Sequence, residues 1–126
     1  VMLFCLGVRL TAQIENLVFE GAGIRGIAYC GALMEMDKTG DLQGIKRVAG
    51  TSSGAITAGL ISVGYSPQEI YDIIGGTNFA KFNDGGGIFI GGFSRLKNRF
   101  GYYKGNVFLH WMEELIEKKT GSADIT

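Results

Sequence analysis

The sequence predicts an α/β fold, a three-layer α/β/α arrangement with a mainly parallel sheet. Three observations lead there. Short apolar runs alternate with helical segments. The first two runs each end in a glycine turn that leads into a helix. The composition is globular, with 46% hydrophobic and 19% charged residues in a chain of 126. Strand, glycine turn and helix, repeated in that order, build parallel strands covered by helices. In such sheets the chemistry lies at the carboxyl ends of the strands, where both glycine turns fall.

Taken in order, Asn16, Leu17, Val18, Phe19 and Glu20 form an apolar run bounded by polar residues and read as a buried strand. Gly21-Ala22-Gly23-Ile24-Arg25-Gly26 follows directly. Residues 27–38 begin with small side chains and continue through Leu33, Met34, Glu35 and Met36 toward Gly40, a helix with a glycine stop. Residues 45–49 form the second strand, broken by Gly50-Thr51-Ser52-Ser53-Gly54. Residues 55–63 have no polar face, so their helix is expected to be buried on nearly all sides. Ser66, Pro67 and Glu69 supply an N-cap, a first-turn proline and the acid of a capping box. Residues 75–105 read as loop, with a strand at 88–90; Phe79, Phe82, Ile88, Phe89, Ile90 and Phe93 in this stretch suit core packing or a lid or membrane-facing surface. Residues 106–119 return to helix, with Val107, Phe108, Trp111, Met112 and Leu115 on one face.

Charge and rare residues narrow the chemistry. Twelve basic residues balance twelve acidic ones, so the basic stripe that nucleic-acid binding needs is missing and no nucleic-acid partner is expected. Cys5 and Cys30 fit neither a CxxC pair nor a zinc knuckle, and no metal or other cofactor is implied. His110 is the only histidine; on a helical wheel it falls among Glu113, Glu114 and Glu117, on a solvated face. Residues 1–12 read either as a signal-peptide remnant ending near Ala12, which would send the protein to secretion or the periplasm, or as an extra strand or leader. The chain opens on Val1, which fits a sequence lacking its first residues.

Gly50-Thr51-Ser52-Ser53-Gly54 fits G-x-S-x-G, the nucleophile elbow, in the strand-to-helix setting it requires. The turn is too tight for side chains two residues either side of the serine, hence Gly50 and Gly54. Ser52 would present its hydroxyl at the sheet's mouth, and the Ser53 amide at the helix N-terminus is a candidate oxyanion donor. Gly21 to Gly26 fits G-x-G-x-x-G, which has two readings. A dinucleotide site would want an acidic residue about 20 positions on, where Lys46 and Arg47 stand instead. An oxyanion loop would want low side chains beside the reacting carbonyl, which Gly21, Ala22 and Gly23 supply, with Gly26 as the third motif glycine. The elbow downstream favours the second reading. Arg25 either lends positive charge near that loop or faces solvent.

Glu20 to Tyr29 followed by Gly50 to Ile56 resembles the N-terminal half of a patatin-like phospholipase, and Tyr103-Lys104-Gly105 with the Trp111 helix extends the resemblance over residues 14–126. Ala22 stands where the family usually has glycine. The resemblance implies a lipid or acyl-ester substrate, contact with a membrane surface, and a Ser-Asp dyad without histidine. The dyad aspartate belongs to a D-G-G or D-G-A motif well beyond the elbow. Asp84-Gly85-Gly86 is the D-G-G of this sequence, but it precedes the Tyr103 segment, so the order of motifs puts the true partner past Thr126 and Asp84 in a mobile glycine loop. The alternatives are a non-catalytic lipid-binding module and, from the first glycine turn, a nucleotide-binding oxidoreductase.

Overall fold

The computed structural model describes residues 14–85, 96–98 and 101–122. Strand β1, Asn16–Phe19, pairs in parallel with β2, Arg47–Gly50, in the register Asn16 to Arg47 through Phe19 to Gly50. Between them run a 3-10 turn, Gly23–Ile27, helix α1, Ala28–Thr39, and a second 3-10 turn, Asp41–Gly44. After β2 come α2, Ser53–Ser62, α3, Pro67–Gly76, a 3-10 turn at Phe79–Phe82, and α4, Asn106–Thr120. The α/β class and the parallel pairing are those expected. The expected leader at 1–12 and strand at 88–90 lie outside the described residues.

Each stop has a local cause. Gly40 ends α1 with φ +82°, a left-handed cap that residues with a Cβ resist. Ser66 accepts from the Glu69 amide, and the Glu69 carboxylate accepts from the Ser66 amide at 2.8 Å, which completes the capping box at the start of α3.

Two hydrophobic clusters hold the layers together. Phe19, Leu33 and Ala58 join β1, α1 and α2, with Leu17 and Val48 packed against them. Cys30, Leu60, Tyr65, Ile70 and Ile74 join α1, α2 and α3, with Leu115 of α4 alongside. The strands differ from expectation in one respect. Leu17 and Phe19 face the helices, while Val18 points away and is 80% exposed, so among the described residues the pair is covered on one face only. Helix α2 also departs: Gly54, Thr57, Ala58 and Leu60 are buried, but Ala55 and Ser62 are exposed, because neighbours pack on part of its circumference. Helix α4 buries no residue fully, and Val107 and Phe108 stay exposed. No helix among the described residues is long and apolar enough to cross a membrane.

Candidate active site

The parallel register brings the carboxyl ends of β1 and β2 level, and both glycine turns leave from that edge. The Thr51 amide donates to the Phe19 carbonyl at 3.1 Å, which ties the second turn to the end of the first strand. At Gly50 a side chain would collide with the carbonyl group of Gly54. At Gly54 a Cβ would stand 2.5 Å from the Phe19 oxygen and 2.6 Å from that of Glu20, so α2 starts directly against the exit of β1.

Between these glycines Ser52 has φ +50° and ψ −124°, the one positive φ of a non-glycine among the described residues. A side chain rarely tolerates that region, which costs about 1–3 kcal/mol. Here the residue holds it because the turn on both sides is fixed: Gly54 donates to the Thr51 carbonyl at 2.8 Å and Ala55 to that of Ser52 at 2.9 Å. The result is an exposed serine just ahead of the α2 N-terminus whose side chain makes no cap bond to the helix. Amides in a helix's first turn have no partner within the helix, and the dipole favours negative charge there.

The loop after β1 lies against this serine. A Cβ on Gly21 would come within 3.2 Å of Ser52 Cβ and of Thr51 Oγ1. The Ala22 amide donates to Ser53 Oγ at 3.0 Å, and a Cβ on Gly26 would stand 2.8 Å from that same oxygen. Gly23 has φ +55° and open space around it. Tyr29 fastens the loop's entry, its hydroxyl donating to the Glu20 carbonyl at 2.8 Å and its ring tilted on Phe19 at 5.3 Å. The structure thus brings Gly21, Ala22, Gly26, Gly50, Ser52, Ser53 and Gly54 together. The Ser53 hydroxyl as a strut between the two loops was missed in the sequence, which carries no signal for a bond between positions 31 apart.

Two depressions meet at Ser52. One is a cavity of about 230 Å³ with Ser52 and Ser53 in its lining and walls from Ile24, Ile27, Ile56, Ile74 and Phe79. The other is a more open groove lined by Ala55, Ile56, Phe82, Phe108 and Met112 together with Ser52. Among the described residues neither lining contains a carboxylate, and Arg25, exposed in the 3-10 turn, lines neither. The rings of Phe79, Phe82, Phe108 and Trp111 pack edge-on or tilted with centroids 5.2 to 6.3 Å apart, joining the groove wall to α4.

Asp84 is fastened in place, contrary to the mobile loop expected of it. Its Oδ1 accepts from the amides of Lys104 at 2.8 Å and Gly105 at 2.9 Å, and its Oδ2 accepts from Val107 at 3.1 Å. It therefore caps the start of α4. The Gly105 amide foremost, aided by those of Val107 and Lys104, holds its carboxyl below the usual range against a smaller opposing effect of desolvation. Gly85 beside it is buried, and a Cβ there would lie 2.6 Å from the Tyr102 carbonyl oxygen. His110 is exposed on α4, its Nδ1 3.0 Å from Glu113, as the wheel predicts. Among the described residues no three acids, histidines or cysteines converge on a point where a metal ion could sit.

The profile of the patatin-like phospholipase family matches residues 17–126. Uncharacterized protein YqhO of Bacillus subtilis (strain 168) is 36% identical over 106 residues, covering 81% of this chain and 36% of that protein. Uncharacterized protein R571 of Acanthamoeba polyphaga mimivirus is 42% identical over 64 residues, covering 50% of this chain and 22% of that one. Among solved structures, VipD from Legionella pneumophila aligns with a TM-score of 0.69 at 24% identity, over 85% of this chain and 17% of its own, a likeness of fold. ExoU in its complex with SpcU from Pseudomonas aeruginosa aligns with a TM-score of 0.57 at 27% identity, over 86% of this chain and 22% of the other. The chain thus spans about a third of YqhO and less than a quarter of R571.

Proposed function

Because the chain belongs to the patatin-like phospholipase family, we propose that it carries the nucleophile and oxyanion loop of a lipid acyl-ester hydrolase. The observation behind this reading is Ser52 held at φ +50° between Gly50 and Gly54, with the Gly21 loop packed on it. Ser52 Oγ attacks the ester carbonyl and its proton passes to an aspartate. The amides of Gly21, Gly23 and Ser53 surround the oxygen that becomes negative, the role in which each donor is worth roughly 10²- to 10³-fold in rate; the Ala22 amide, assigned to the same role from the sequence, is spent on Ser53 Oγ and fixes the loop instead. The alcohol leaves with the proton from the aspartic acid. Water then gives a proton to the aspartate as its oxygen attacks the acyl carbonyl, and the aspartic acid returns that proton to Ser52 Oγ as the fatty acid leaves.

The aspartate in this proposal lies past Thr126, in a longer protein of the kind that the relatives represent. Asp84 is set aside as the base because three amides occupy its oxygens and stabilise its charged form, which makes it a weak proton acceptor. Arg25 lends positive charge near the loop at most, since it does not line the cavity at Ser52. Two observations weigh against a dinucleotide at the first glycine turn: the Ser53 side chain fills the space over Gly26, and the Ala22 amide already has a partner. Exposed Tyr102, Tyr103, Val107 and Leu109 beside the groove residue Phe108 support contact with a lipid surface.

The test is a fluorophosphonate probe on the protein expressed from its full reading frame, with the adduct mapped by peptide mass spectrometry and ester turnover measured alongside. The adduct is expected on Ser52, and Ser52→Ala is expected to abolish both labelling and turnover. An adduct on Ser53, or lipid binding without turnover, would replace this reading with another.

A further inference from the structure

We propose that Tyr29 is a positioning residue of the reaction: by holding the Glu20 carbonyl, its hydroxyl aims and strengthens the Gly21 N–H as an oxyanion donor. The inference rests on the hydrolase reading above and concerns how one donor of that site is made. A trans peptide is planar, with its C=O and its N–H directed to opposite sides. The Glu20 carbonyl and the Gly21 amide belong to one such unit, so whatever holds the first sets the direction of the second. The Tyr29 hydroxyl, in the first turn of α1, donates to the Glu20 oxygen at 2.8 Å, and that oxygen also lies close over Gly54 of α2. The Gly21 N–H is therefore directed away from both helices. It belongs to an exposed residue and has no partner among the described residues, which leaves it open to a ligand.

The peptides on either side have anchors of their own. The Phe19 carbonyl accepts from the Thr51 amide at 3.1 Å, and the Ala22 amide donates to Ser53 Oγ at 3.0 Å. The peptide between them could still turn over, because Gly21 has no Cβ and accepts either sign of φ. The glycine that keeps the rim low for a substrate thus leaves its own amide undirected, and Tyr29 supplies the direction. Packing fixes the tyrosine in turn. Its half-buried ring rests on the cluster of Phe19, Leu33 and Ala58, 5.3 Å from the Phe19 ring. Hydrogen bonds in series also polarise one another, so a donor on the carbonyl makes the N–H of the same peptide a stronger donor. That gain grows as negative charge develops on the ester oxygen, the condition for raising kcat rather than tightening substrate binding.

The experiment uses the protein from its full reading frame. Values of kcat and KM are measured on a p-nitrophenyl ester, beside inhibition by a trifluoromethyl ketone, whose adduct with a serine carries an oxyanion. Tyr29→Phe removes the hydroxyl and keeps the ring. It is expected to lower kcat about three- to tenfold with KM unchanged, to weaken the ketone by the same factor, and to leave the fluorophosphonate adduct on Ser52. Difluorotyrosine in place of Tyr29 gives a second reading should that variant fail to fold, because its phenol ionises near neutral pH and then cannot donate. Relative to wild type, its kcat is expected to fall as the phenol ionises, a dependence that a ring serving only to pack would not show. Unchanged kcat and ketone affinity in Tyr29→Phe, a change in KM alone, or a flat kcat ratio across pH in the fluorinated protein overturns the assignment of Tyr29 and leaves the hydrolase standing. Absence of both turnover and a Ser52 adduct in the wild type overturns the two together.

Discussion

The backbone of Ser52 sits where glycine would be more comfortable, and this sets stability against chemistry at one position. Ser52→Gly is expected to raise unfolding stability by about 1 kcal/mol, since it removes strain of about 1–3 kcal/mol but adds freedom to the unfolded chain. Ser52→Ala keeps the strain and gains nothing comparable. Urea unfolding of the two variants separates these outcomes, and equal midpoints would show that the turn is unstrained. Ser53 offers a second experiment at this scale. Its hydroxyl holds the Ala22 amide at 3.0 Å, so Ser53→Ala is expected to release the oxyanion loop and lower kcat on the order of ten- to a hundredfold while KM changes little. A rise in KM at constant kcat would place Ser53 in substrate binding instead. The glycines and Ser52 were legible in the sequence because a tight turn restricts residue type at fixed spacing. The Ser53 strut was not, since a hydroxyl bond to a residue 31 positions away has no local pattern.

Helices α3 and α4 are joined by a clasp of side chains. Lys119 donates to both oxygens of Glu69, at 2.8 and 2.9 Å, and its ammonium lies 4.8 Å from the centre of the Tyr65 ring. The Tyr65 hydroxyl donates to the Leu115 carbonyl at 2.8 Å. Removing that buried donor by Tyr65→Phe is expected to cost about 1 kcal/mol in denaturant unfolding. The Lys119 hydrogen bond, helped by the Ser66 amide, lowers the Glu69 carboxyl to about 2, whereas an unfolded glutamate titrates near about 4.3. Because the folded value is depressed, the contribution is complete above the unfolded value and is lost as pH falls toward about 2. The gap in urea midpoint between wild type and Glu69→Gln is expected to be widest above about pH 5 and to close in acid; a constant gap would sink this account. The capping box was legible because its residues are three apart. The clasp was not, because it joins positions 50 apart, and the apolar face of α4 was legible from its spacing, though not that its residues would be only half-buried or exposed.

At the scale of the whole molecule, the described residues cover the strands on one side, the turn at Ser52 opens at their rim, and none of those lining either depression is a carboxylate. The 126-residue chain expressed alone is expected to turn over no p-nitrophenyl ester, while the full reading frame is active in the same assay. Equal specific activity would place the general base within these residues. The order of elements and the parallel pairing were legible because glycine turns and apolar runs mark them directly; the bare face around Val18 was not, since exposure depends on what the rest of a chain covers. The amide cap at Asp84 reaches further than helix stability. Its three bonds, with Gly85 pressed on Tyr102, tie the chain just after the 3-10 turn at Phe79–Phe82 to the first turn of α4. Phe82 and Phe108, which both line the groove at Ser52, are therefore held in register by a carboxylate that touches neither of them.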